Sequence, residues 1–245
     1  MGSLFKWEMK QTFSSKAFWI LGASIISLPV ALLVLTLIFS EGMTGYNAFL
    51  EGLNNYNAFV IFLIGVFAGI HVTGAFEARK IQSSVMAGNS RFNILMAKFL
   101  SYITAVGIYS VVAIVISSVI SFTMQGINGF DDSFARAIIV RSLVYIFVEI
   151  AYSATCFLSS MLVRHLGGAI GLNMGLMLMS NIAVQLLFNF DWMIKYLNYI
   201  PAAQTMVLLG DISNENIARA LVSSVVACAL VVALSYLKFR REELK

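Results

Sequence analysis

Charged residues are scarce in this chain. Lysine, arginine, aspartate and glutamate make up 11% of its 245 residues, while 60% are hydrophobic. Soluble domains carry about 25% charged residues and about 45–50% apolar ones. The shortage of charge therefore excludes an ordinary soluble domain. Several nearly uncharged apolar runs instead reach a length of about 20 residues, which is typical of membrane-spanning helices.

Residues that carry catalysis or bind metals are equally rare. The chain has two histidines and two cysteines, and it contains no Walker, HExxH, CxxC or GxSxG motif. ATP hydrolysis by the P-loop route is therefore excluded for this chain, and no metal site is predicted. Only two prolines, Pro29 and Pro201, interrupt the helical pattern. We expect a protein that is not itself an enzyme.

The apolar runs predict an all-α, polytopic membrane protein with a single domain over residues 1–245. Its six predicted membrane spans are residues 17–39, 57–76, 97–122, 137–163, 167–188 and 217–237. Residues 40–56 and 123–136 are predicted to be loops on one side of the membrane. Residues 189–216 include Trp192, Tyr196, Tyr199 and Pro201, and they are predicted to contain short interfacial or re-entrant helices.

The N-terminal residues 1–16 are predicted to form an amphipathic helix on the membrane surface. Leu4, Phe5, Met9 and Phe13 recur at helical spacing, and lysines lie between them. A helix with one apolar and one basic face binds in the plane of the membrane interface. A frayed, solvated terminus is the alternative.

The distribution of basic residues predicts the orientation. Twelve of the 16 lysines and arginines fall on the side that carries both termini: Lys6, Lys10, Lys16, Arg79, Lys80, Arg91, Lys98, Arg164, Lys238, Arg240, Arg241 and Lys245. The other four are Arg136, Arg141, Lys195 and Arg219. Because loops rich in lysine and arginine stay in the cytoplasm, we expect a multi-pass plasma-membrane protein with both termini cytoplasmic.

Residues 76–98 form the most highly charged connection between two spans. Their sequence is FEARKIQSSVMAGNSRFNILMAK. The second span is predicted to continue as a helix to about Ala87, and Gly88-Asn89-Ser90 to form a turn. Ser90 then caps a new helix that starts near Arg91. We expect this segment to lie in the cytoplasm and to contact a soluble partner.

A few polar residues fall inside the predicted spans. Glu149 lies well inside the fourth span, where a carboxylate is costly. It is either a substrate-path or proton-linked residue, or a packing residue bonded to Asn181 or Gln185. Asn173, Asn181 and Gln185 either line a path between subunits or bond the helices together. Arg141 is expected to extend to the outer interface.

Three other features have two interpretations each. His71 is either a packed, neutral histidine or a sensor. Gly65 and Gly69 either permit close helix packing through their spacing or reflect the general frequency of glycine in membrane helices. The 12 methionines either form an adaptable surface for a hydrophobic ligand or serve in ordinary packing.

The order of these elements resembles the permease subunit of a type-2 ATP-binding-cassette (ABC) exporter, over nearly the whole chain. The closest local match is FEAR at residues 76–79, followed by Arg91 and by AKF at residues 97–99; SKAFW at residues 15–19 is similar to the family's entry into the first span. The chain differs from larger members in lacking a fused ATPase domain and a large outer domain. The resemblance therefore implies a half-transporter subunit.

What the resemblance implies is a mechanism. Residues 77–96 would form the coupling region, with Glu77 and Arg79 at the base of the second span. Its contact residues for the ATPase would be Glu77, Arg79, Lys80, Ile81, Val85, Met86 and Arg91. This chain would bind no cofactor, while two separate ATPase subunits would hold ATP and Mg. A second permease chain, identical or a sister, would complete the pathway.

Composition and the resemblance together limit the expected class of substrate. Small six-span members of this family resemble bacterial permeases that export antimicrobial peptides such as lantibiotics, or drugs. Apolar spans with few charges favour a hydrophobic or amphipathic cargo. Glu149, Asn173, Asn181 and Gln185 are the candidate substrate-path residues. An ion-gradient secondary transporter and a nonenzymatic membrane scaffold or sensor are the alternatives.

Overall fold

A computed structural model describes residues 2–39, 43–126, 132–197, 199–209 and 213–241. These residues are helical apart from short connections. The helices are α1 (Gly2–Ser14), α2 (Lys16–Phe39), α3 (Gly45–Ala68), α4 (Gly74–Glu77), α5 (Lys80–Met86), α6 (Arg91–Gln125), α7 (Asp132–Leu162), α8 (Leu166–Leu187), α9 (Asp191–Leu197), α10 (Pro201–Val207) and α11 (Asn214–Arg241). A π-helical turn, Gly69–Thr73, joins α3 to α4 without a break.

Within the described residues, five helices are long and apolar enough to cross a membrane. They are Lys16–Phe39, Arg91–Gln125, Ala135–Leu162, Leu166–Leu187 and Asn214–Arg241. A sixth span is formed if Gly45–Asn57 and Phe62–Glu77, which meet at a bend of 42°, are counted as one. The prediction of an all-helical membrane protein is therefore confirmed, with five or six spans.

The prediction of a loop over residues 40–56 is wrong from Gly45 onward, while residues 40–42 lie outside the described part of the chain. Thr44 caps α3 by accepting a hydrogen bond from the Asn47 backbone N–H. Phe49, Leu53 and Tyr56 are buried in the core. Their i, i+4, i+7 spacing is the helical signal that the glycines and asparagines of this stretch obscured.

The short connections follow the predictions more closely. Asp191–Leu197 and Pro201–Val207 are the short helices expected within residues 189–216. The predicted loop at residues 123–136 is shorter, because α7 begins at Asp132; residues 127–131 lie outside the described part.

The core is built around aromatic rings between α2, α3 and α6. Phe67 stacks on Tyr102 at a centroid distance of 5.8 Å, and Phe18 stacks on Tyr109 at 4.9 Å. The Tyr109 hydroxyl donates to the Phe18 carbonyl at 2.7 Å. A Cβ at Gly22 would lie 2.6 Å from the Tyr109 ring, so glycine is needed for α2 and α6 to approach this closely.

Glycines also set the contact between α3 and α8. A Cβ at Gly65 would lie 3.1 Å from the Asn173 Cβ, and one at Gly69 would lie 2.8 Å from the Ile170 side chain. The expectation that these two glycines permit close packing is confirmed. The fold thus places α8 beside α3, with α7 against α8 and α11.

Candidate functional site

One end of the bundle gathers the connection between α4 and α6, the first helix and the end of the last helix. We call it the connector end, and define it by residues 77–91 together with Glu8, Lys98 and Phe239. The predicted continuous helix to Ala87 is wrong, because α4 ends at Glu77 and Arg79 has a left-handed φ of 54°. A non-glycine residue in this conformation costs about 1–2 kcal/mol. The break lets α5 leave the axis of the span.

The predicted turn after α5 is confirmed. Gly88 has a φ of 85°, which glycine adopts without a steric penalty. Ser90 caps α6, because its side chain accepts a hydrogen bond from the Asn93 backbone N–H. The connector is therefore one short helix, α5, between two tight turns, and the turn after α5 is defined by local residues.

Glu77 joins the connector to α8. Its Oε1 accepts a hydrogen bond of 2.7 Å from the backbone N–H of Leu166, the first residue of α8. His165 Nδ1 lies 4.0 Å from the same oxygen. The first N–H groups of a helix have no partner within the helix, and the positive end of its dipole favours a carboxylate. Glu77 thus caps α8 from the end of α4.

Arg91 joins the connector to α11. Its guanidinium donates to the carbonyls of Phe239 at 2.9 Å and Arg240 at 3.0 Å, in the last turn of α11. It also lies over the Phe239 ring, 5.8 Å from the centroid. The last carbonyls of a helix need outside donors. Arg91 therefore attaches the end of the last helix to the start of α6.

Some of the other predicted coupling residues are exposed to solvent, and others are packed into the bundle. Arg79 and Lys80 are exposed, and Met86 is 81% exposed. Ile81 is only 3% exposed and belongs to the core, and Val85 packs against that core. Ile81 therefore faces the bundle, and the apolar surface offered by α5 is Met86.

A buried ion pair joins α1 to α6. Lys98 Nζ lies 3.1 Å from Glu8 Oε2, and the two side chains are 5% and 4% exposed. The buried residues of α1 are Glu8 and Thr12, so the side of α1 that faces the bundle is polar at these two positions. Lys98 was expected to be a cytoplasmic basic residue and part of the AKF match at residues 97–99, and its pairing with Glu8 was not predicted. The sequence feature that could have indicated this ion pair is Glu8, the sole acidic residue among residues 1–39.

The π-helical turn completes this cluster. Lys98 Nζ also donates to the His71 carbonyl at 3.3 Å. Ser101 Oγ donates its hydrogen to the Lys98 carbonyl and lies 3.0 Å from His71 Nε2. His71 Nε2 and Ser101 Oγ form a hydrogen bond whose donor depends on the histidine tautomer. His71 is therefore a packed histidine that is bonded on both its ring and its backbone. Turns of this kind often occur at functional sites.

A cavity of about 250 Å³ opens beside the ion pair. Its polar lining consists of Glu8, Gln11, Ser15, His71, Lys80 and Lys98, together with Thr12. The site thus combines α1, the π-helical turn, α5 and α6 around a partly enclosed polar space. It can bind a small polar or charged group.

The predicted substrate-path residues do not come together. Asn173 is buried, and its amide donates to the Gly65 carbonyl and to Ser160 Oγ, both at 2.8 Å. Its carbonyl oxygen accepts from Ser159. Asn181 and Gln185 bond to each other at 2.8 Å on an exposed part of α8. Asn173 therefore holds α8 to neighbouring helices by hydrogen bonds, whereas Asn181 and Gln185 can contact lipid or another molecule outside the bundle.

Glu149 is 1% exposed, and its Oε2 has no hydrogen-bond partner in the described part of the chain. The expected bond from Glu149 to Asn181 or Gln185 is absent among these residues, since those two pair with each other. Glu149 is therefore a buried acid with spare hydrogen-bonding capacity.

The expectation that Arg141 extends to the outer interface is wrong. Its side chain is 2% exposed, and the guanidinium lies over the Tyr46 ring, 5.4 Å from the centroid. This ring belongs to the start of α3, within the segment predicted to be a loop. A cation over an aromatic face is stabilised by the ring quadrupole.

No protein-family model matches this chain, and no curated protein has a significantly similar sequence.

Proposed function

We propose that this chain is the transmembrane subunit of an ABC exporter, driven by ATP that a separate subunit hydrolyses. The observation that carries the proposal is the placement of α5. This short helix, together with the residue before it, presents exposed Arg79, Lys80 and Met86 at the connector end. Immediately before and after it, Glu77 caps α8 and Arg91 holds the end of α11.

This arrangement supplies a physical route for coupling. A partner that pushes α5 acts on α4 and α6 through the chain, on α8 through Glu77 and on α11 through Arg91. Packed helices respond to such a force by shifting between discrete arrangements. ATP binding in the partner can therefore bias the spans between two states by contacting α5 differently in each.

The proposal includes the assembly and its orientation. Two ATPase subunits carrying ATP and Mg dock at the connector end, and a second permease chain, identical or a sister, completes the pathway. The connector end and both termini face the cytoplasm of a bacterial cell, as the basic residues at this end favour. In this orientation α1 lies at the membrane surface.

We propose a hydrophobic or amphipathic cargo, such as a lantibiotic, another peptide antibiotic or a drug. Among the described side chains, buried charge within the spans is confined to a few residues such as Arg141 and Glu149. Met179 and Gln185 are exposed on α8 and Asn181 is partly exposed, and together they can contact a cargo with both apolar and polar groups. Cargo export is tested by resistance of cells that express the complete transporter.

Met86→Asp is expected to weaken association with the ATPase by at least about tenfold in Kd, because an apolar contact at the centre of an interface is replaced by a charge. The measurement is the amount of P-loop ATPase subunit, identified by mass spectrometry, that co-purifies with the chain, followed by ATP hydrolysis in nanodiscs.

Met124→Asp is the matched control. Met124 is also an exposed methionine in the last turn of its helix, but at the far end of α6. It should leave the ATPase bound. Purification of the chain without any P-loop ATPase, or equal ATPase recovery with Met86→Asp and wild type, contradicts the proposal.

An ion-gradient secondary transporter is a second candidate, favoured by the unpartnered oxygen of buried Glu149. Buried acids within spans commonly bind the coupling proton or ion. Under this alternative, Glu149→Gln abolishes transport driven by a pH gradient in proteoliposomes without ATP. Under ATP-driven export, wild-type proteoliposomes show no gradient-driven transport, and Glu149→Gln leaves ATP-driven export unchanged across pH.

A further inference from the structure

The cavity at the connector end carries more positive than negative charge. Lys80 and Lys98 both line it, against a single carboxylate from Glu8. Lys80 lies within electrostatic range of both Lys98 and His71. Glu8 is already paired with Lys98, and in the described part of the chain Lys80 has no carboxylate partner. An anion in the cavity would relieve the repulsion between the two ammonium groups.

Hydrogen-bond donors also remain available in the cavity. The Lys98 ammonium has three N–H groups, and its acceptors among the described residues are Glu8 Oε2 and the His71 carbonyl. Gln11 and Ser15 add a neutral amide and a hydroxyl at the wall. A group that accepts several hydrogen bonds at once matches this set of donors.

We propose that this cavity binds a phosphate group, held by Lys80 and by the third N–H of Lys98. The phosphate belongs either to the headgroup of an anionic phospholipid or to free phosphate in solution. A cavity of about 250 Å³ has the volume of about eight water molecules, which accommodates a phosphate group. The cavity is walled by α1, which lies at the headgroup level in the proposed orientation. The inference does not depend on export activity.

The test is the melting temperature of the purified full chain in detergent. Two probes are added: inorganic phosphate, against sodium chloride at equal ionic strength, and phosphatidylglycerol, against diacylglycerol as the neutral lipid. At about ten times Kd, ligand binding is expected to raise Tm by about 3–5 °C. A rise with either probe supports the site, and the responding probe identifies the source of the phosphate.

Two variants assign the effect to the cavity. Lys80→Gln is expected to raise the Kd of the responding probe about tenfold, because a charge-assisted hydrogen bond is lost. Lys80→Arg keeps the charge and should retain binding. Lys10→Gln removes an exposed lysine of α1 that does not line the cavity, and it should leave Kd unchanged.

Two outcomes overturn the proposal. One is the absence of any phosphate-specific rise in Tm over the matched salt and neutral-lipid controls. The other is an equal loss of binding in Lys80→Gln and Lys10→Gln, which indicates non-specific attraction to a basic surface. Because the measurement uses neither ATPase nor cargo, it remains valid if the proposed export function fails.

Discussion

Lys98→Met is expected to lower the free energy of unfolding by about 3–5 kcal/mol, because it leaves the Glu8 carboxylate buried without its counter-ion. The two side chains are 5% and 4% exposed, and their charged atoms lie 3.1 Å apart. Because both side chains are nearly excluded from bulk solvent, water in the adjoining cavity can replace only part of the interaction that the ammonium makes with the carboxylate. Reversible unfolding in mixed micelles, followed by tryptophan fluorescence, measures the loss.

The double variant Glu8→Gln with Lys98→Met distinguishes the cost of leaving one buried charge unpaired from the net contribution of the ion pair to stability. It should recover stability to within about 1 kcal/mol of wild type, since replacing both members of a buried pair removes the uncompensated charge. Lys10→Met, on the exposed side of α1, should change stability by less than about 0.5 kcal/mol. A loss of less than 1 kcal/mol in Lys98→Met would show that the pair is hydrated.

Asn173→Leu is expected to cost about 3 kcal/mol. The substitution removes the bonds to Gly65, Ser159 and Ser160, and hydrogen bonds between membrane helices contribute about 0.6–1.7 kcal/mol each. The branched leucine side chain would also be crowded against α3 at Gly65, where the two helices lie close together. Such overpacking lowers stability by about a further 1–3 kcal/mol. The same unfolding measurement applies.

Asn181→Leu is the matched control on the same helix. Asn181 bonds only to Gln185 among the described residues and lies on an exposed part of α8. Its replacement should change stability by less than about 0.5 kcal/mol. Equal losses in the two variants would contradict the assignment of Asn173 as the residue that bonds α8 to α3 and α7.

The connection between α5 and α6 could be predicted from the sequence, because neighbouring residues determine its turn and its helix cap. The turn at Gly88, the cap at Ser90 and the start of α6 at Arg91 each follow from short-range chemistry. The break at Arg79 was missed because nothing in its neighbours requires a left-handed residue. It exists because Glu77 is bonded to α8 while Ile81 is packed into the core.

The candidate site was predicted only in part, for the same reason. Glu77 and Arg91 were identified from the charged connector, and both make the contacts that hold it to the bundle. Glu8 and Lys98 are 90 positions apart in the chain, so no local pattern could pair them. The π-helical turn that presents the His71 carbonyl to Lys98 has no signature in the sequence either.

The sequence by itself determined that this is an all-helical membrane protein, because a chain with 60% hydrophobic and 11% charged residues has few other stable forms. Only the tertiary structure decided which polar residues lie inside. Eight residues along an α-helix rotate the side chain by about 80°. On a helix that packs on one side, that rotation buries Asn173 and leaves Asn181 partly exposed. The helices packed against α8 determine which of its residues are buried and which are exposed.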